Sequence, residues 1–77
     1  MNLYLVTRTD ATEYDTYDSF VVCTETAEDA ANTHPGGELE CRRSHTWTTT
    51  DKVRVCYLGV ADLVINEGIV CASFNAG

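Results

Sequence analysis

The sequence is short of positive charge. Five Lys and Arg face twelve Asp and Glu, for a formal net charge of −7. Residues 1–40 hold one base, Arg8, against nine acids, so that half carries about −8 and the remainder about +1. DNA, RNA and anionic membranes repel such a chain, while basic protein surfaces attract it. Long apolar runs are also missing. No stretch reaches the roughly 18–20 apolar residues of a membrane span. The opening Met1–Arg8 meets a charge too early for a secretion signal, which predicts a cytoplasmic protein. Proline occurs once, at Pro35, and no two cysteines are spaced as C-x-x-C. Cys23, Cys56 and Cys71 each lie in an apolar run, so reduced core or near-core thiols are expected in place of disulfides.

What is present is enough for one small core. The chain has 77 residues and 44% apolar content, which predicts a single domain over residues 1–77. Residues 2–9 alternate as a strand, and Thr9–Asp18 reads as a loop. Residues 19–25 are β-branched and aromatic, which predicts a central strand. Thr26-Ala27-Glu28-Asp29 has the pattern of a helix cap, and Ala27, Ala30, Ala31 and His34 then share one helical face. Pro35-Gly36-Gly37 stops that helix. Residues 46–50 read as a short edge strand, residues 52–60 as a strand with Gly59 at a bulge, and residues 69–74 as the last strand. Residues 61–67 read as a turn, a single helical turn or a strand. The order β-β-α-(β)-β-β predicts an α+β fold: a small, mostly antiparallel sheet of four or five strands with one short helix on one face. Open sheet edges allow a homodimer.

Signals for chemistry are sparse. His34, Cys41 and His45 offer three metal ligands without an evident fourth, so no metal or other cofactor is expected. The apolar settings of Cys23, Cys56 and Cys71 do not suit a reactive thiol, and Asp15 with Asp18 reads as a solvated pair, so no catalysis is expected. The acidic loop and the start of the helix are the best interface candidates. Asp10, Glu13, Tyr14, Asp15, Tyr17, Asp18, Glu28 and Asp29 interleave carboxylates with tyrosines, a composition suited to a Lys/Arg-rich protein surface. A second set, Arg8, Trp47 and Asn75, offers a phosphate contact, a stacking ring and an amide for a nucleotide pocket.

Several of these segments together resemble a known group. They are Thr7-Arg8-Thr9-Asp10, Tyr14-Asp15, Asp18-Ser19-Phe20-Val21-Val22, the helix closing on His34-Pro35, Leu58-Gly59-Val60-Ala61 and Ala72-Ser73-Phe74-Asn75-Ala76-Gly77. The pattern resembles small accessory proteins encoded by tailed bacteriophages. The likeness spans both ends of the chain and is faint over residues 38–52. It implies a protein acting in the host cytoplasm, with no chemistry assigned. The expected function is an anti-defence or host-takeover inhibitor that binds a bacterial host protein, such as a CRISPR or restriction complex, without touching nucleic acid. The alternatives are an oligomeric sponge for a nucleotide immune signal and a non-catalytic phage structural or regulatory protein.

Overall fold

The computed structural model describes residues 1–10, 16–36 and 47–75, with Asn75 described by its backbone alone. Four strands form one antiparallel sheet: β1 (Asn2–Arg8), β2 (Thr16–Thr24), β3 (Val53–Val60) and β4 (Gly68–Asn75). The spatial order is β3-β1-β2-β4, so the first hairpin is central and the last two strands form opposite edges. Among the described residues one short α-helix, α1 (Ala27–Ala31), follows β2. The architecture is the α+β sheet with one helix that the sequence pattern predicts.

Strand alternation sorts the side chains onto two faces. On one face the register aligns Tyr57, Tyr4, Val22 and Ile69 in one row, and Val55, Val6, Phe20 and Ala72 in the next. Tyr4, Val6, Phe20 and Val22 are buried there with Ala30 and Trp47. Ala30 is small enough for α1 to lie close on the sheet. The Trp47 and Phe20 rings meet edge to face, with centroids 5.2 Å apart.

The helix begins where its cap residue predicts. The Thr26 hydroxyl accepts the Asp29 N–H at 3.1 Å. It ends earlier than the apolar spacing predicts, at Ala31 instead of His34. The Asn32 amide donates to the Glu28 carbonyl and the Thr33 hydroxyl to the Asp29 carbonyl, so side chains satisfy the final turn. His34 lies beyond the helix, where its Nδ1 accepts the Gly36 N–H at 3.0 Å.

Three other expectations change. β2 starts at Thr16, inside the segment read as a loop. A register shift between Tyr17 and Ser19 lets the polar Asp18 sit in the strand without a partner on β4. Residues 47–49 form no strand; Trp47 is turned into the core, and a 3-10 turn at Thr50–Lys52 follows. The cysteines also divide. Cys23, on the central strand β2, is buried, but Cys56 and Cys71, on the edge strands β3 and β4, are exposed. Gly59 stands beside the expected bulge, where the β1–β3 register shifts between Leu3 and Tyr4, and its φ of 149° is one that glycine tolerates best.

Candidate functional site

The two ends of the sheet have different character. Arg8, Thr16, Val53 and Asn75 mark one end, and Asn2, Thr24, Val60 and Gly68 the other. The expected site residues divide between them.

At the first end, Arg8 and Trp47 do come together, but their functional groups are already engaged. The Arg8 guanidinium lies 5.9 Å from the centroid of the Trp47 ring. It grips Asp10 through two hydrogen bonds, from Nε at 2.5 Å and Nη2 at 3.1 Å. Its Nη1 donates to the Tyr17 carbonyl at 3.2 Å. The Thr48 hydroxyl donates to the second Asp10 oxygen at 2.7 Å. The Arg8 side chain is only 9% exposed and that of Asp10 28%. The Arg8 hydrogen bonds, then the Thr48 bond, hold the Asp10 carboxyl far below the usual carboxylate range. This cluster pins residues 47–48 onto the end of the sheet. It assigns Arg8 and Asp10 to structure, and leaves Arg8 little surface for a phosphate. The Asn75 side chain lies outside the described residues, although its backbone pairs opposite Thr16.

Tyr17 is likewise a packing residue. Its half-buried ring meets Phe74 at 4.9 Å and His34 at 6.3 Å. Asp18 is partly exposed and accepts the Ser19 hydroxyl. Glu13, Tyr14 and Asp15 lie outside the described residues, as do Cys41 and His45. Among the described residues no group of three or more His, Cys, Asp or Glu stands close enough to hold a metal ion.

The second end collects exposed carboxylates. Glu25 follows β2, Glu28 and Asp29 occupy the first turn of α1, and Asp62 and Glu67 flank the β3–β4 connection. That connection runs from one edge of the sheet to the other. Its root is fixed by a hydrogen bond from the Ala61 N–H to the Met1 carbonyl at 2.9 Å. Asp62 then shapes the turn: its side chain accepts the Val64 N–H at 3.2 Å and its carbonyl the Ile65 N–H at 3.0 Å.

No protein-family model, curated protein or solved structure matches the chain.

The residues held out by this turn are aliphatic. Leu63 and Val64 are 102% and 83% exposed, with Val60 and Met1 exposed at the same end. The sequence reading of residues 61–67 as a turn, a single helical turn or a strand named no surface role for Leu63 and Val64. The available signal was Asp62, a turn former two residues ahead of Val64. Such a pair of bare aliphatics on an ordered turn, bordered by carboxylates, is an unusual surface for a small domain. It can fill an apolar hollow while the acids meet a basic rim.

Proposed function

We propose that this chain is a non-catalytic, phage-encoded inhibitor that docks on a bacterial host protein and masks a basic surface there. The exposed Leu63–Val64 turn, flanked in sequence by Asp62 and Glu67, carries the reading, with Glu25 and the first-turn acids of α1 adding exposed negative charge. Charge steers the encounter and aliphatic burial supplies the grip. An acidic border disfavours nucleic acid and anionic lipid as the target, since both repel carboxylates. The resemblance to phage accessory proteins supplies the setting, the host cytoplasm, and makes a CRISPR or restriction complex a fitting target. Compared with the sequence expectation, the contact moves to the far end of the sheet. Glu28 and Asp29 remain in it, whereas Asp10 and Tyr17 are engaged within the fold.

The test is an interference assay in bacteria carrying one active CRISPR or restriction system at a time. Co-expressed wild-type chain is expected to restore entry of targeted DNA in at least one strain. The triple substitution Glu25→Lys, Glu28→Lys and Asp29→Lys is expected to lose that effect. Interference unchanged by the wild type throughout the panel, or equal rescue by the reversed variant, rejects the proposal.

A further inference from the structure

Residues 62–65 form a β-turn, closed by the Ile65 N–H donating to the Asp62 carbonyl at 3.0 Å. Leu63 and Val64 are its two corner residues. Asp62 holds the turn a second time, because its carboxylate accepts the Val64 N–H at 3.2 Å. Asp suits this first position, where its short side chain reaches the backbone two residues on. Just ahead, the Ala61 N–H donates to the Met1 carbonyl and ties the entry of the turn to the residue before β1.

The corner residues follow a different logic. Turn corners favour Gly, Pro, Asn, Asp and Ser, whereas Val64 is β-branched and suits extended backbone. Burial does not compensate, since Leu63 is 102% exposed and Val64 83%. Neither local preference nor packing within the fold calls for Leu and Val here. Proteins break local rules of this kind chiefly at functional sites. The same choice leaves the turn dependent on the Asp62 side chain.

Two roles are open to the exposed Asp62 carboxylate: a charge facing a basic partner, and an acceptor for its own backbone. The bond to the Val64 N–H favours the second. We infer that Asp62 is the positioning residue of the docking turn. It acts through that hydrogen bond, which sets how Leu63 and Val64 are presented, and its negative charge is secondary. Given the contact proposed above, on which this rests, the partner reads a pre-formed turn. Its hollow takes two adjacent aliphatic side chains at a turn corner, and neither side spends binding energy on ordering the segment.

Asp62→Asn and Asp62→Ala test the assignment, because both remove the same charge and only Asn keeps an acceptor oxygen. Amide hydrogen exchange of the free chain, followed residue by residue by NMR, reads the turn without any partner. Protection of the Val64 and Ile65 amides is expected to be about threefold lower in Asp62→Ala than in Asp62→Asn, the low end of what one hydrogen bond contributes. Capture from bacterial lysate at low salt, quantified by mass spectrometry, reads the contact. Asp62→Asn is expected to recover about threefold more of the wild-type partner than Asp62→Ala. Equal protection in the two variants overturns the inference. So does equal recovery by both, below that of the wild type, since charge alone then explains Asp62. A wild type that captures no partner rejects the docking reading and this inference with it. That failure is told apart from the others because the exchange difference between Asp62→Asn and Asp62→Ala survives it.

Discussion

Asp10→Asn tests the pin at the first end of the sheet. In the wild type, the Asp10 carboxylate receives two hydrogen bonds from Arg8 and one from Thr48. The amide keeps the shape, removes the charge and replaces one acceptor oxygen with a donor. Arg8, at 9% exposure, then keeps a buried charge with its main partner weakened. Charge-assisted hydrogen bonds contribute about 1.5–3 kcal/mol each, and a broken buried pair costs about 3–5 kcal/mol. Water reaches Asp10 at 28% exposure and offsets part of that loss, so the expected cost is about 2–3 kcal/mol. For a domain of this size that lowers Tm by about 10–20 °C. The pH dependence gives the sign. The folded carboxyl titrates below its ordinary value of 3.8, because of Arg8 first and Thr48 second. Its stabilisation is therefore complete above that value and is lost as pH falls through the lower, folded one. Thermal unfolding followed by circular dichroism should show the gap between wild type and variant at its widest near pH 7. The gap should narrow as the pH is taken below 4. Equal Tm values at pH 7, or a gap that does not change with pH, would refute the assignment of Asp10 as a structural anchor.

Other substitutions probe the remaining elements. Phe20→Ala removes the ring that meets Trp47 at the centre of the core and should cost about 3–5 kcal/mol, measurable by urea unfolding. Thr26→Ala deletes the acceptor for the Asp29 N–H and should cost about 1 kcal/mol in the same assay. Gly59→Ala meets nothing within 4 Å, so its cost comes from the φ of 149° alone, about 1–2 kcal/mol by the same unfolding measurement. The pair Leu63→Ser and Val64→Ser touches no core and should change stability by less than about 0.5 kcal/mol.

Strand periodicity made the fold legible. Leu3 to Arg8 and Val53 to Tyr57 alternate cleanly, and Thr26 announces the helix with its own hydroxyl. Two things were hidden. Alternation does not say which strands become edges, so Cys56 and Cys71 read as core or near-core thiols although their edge strands leave them exposed. Charge counts also ignore pairing. Asp10 belongs to the acidic half of the sequence, but Arg8 is only two residues away and claims it. Of the residues in the proposed contact, the sequence singled out Glu28 and Asp29, which are exposed, but not Leu63 and Val64. Their role depends on a turn that holds two aliphatics out of the fold, a tertiary outcome that hydrophobicity alone argues against.

The central claim is docking through the acidic end and its aliphatic turn. Three baits measure it most directly: the wild type, Leu63→Ser/Val64→Ser, and Glu25→Lys/Glu28→Lys/Asp29→Lys. Each is used for capture from bacterial lysate at low and high salt, with quantitative mass spectrometry. A stoichiometric protein partner is expected on the wild type at low salt, depleted at high salt and depleted on both variants. Equal recovery of that partner on all three baits, at either salt, would contradict it.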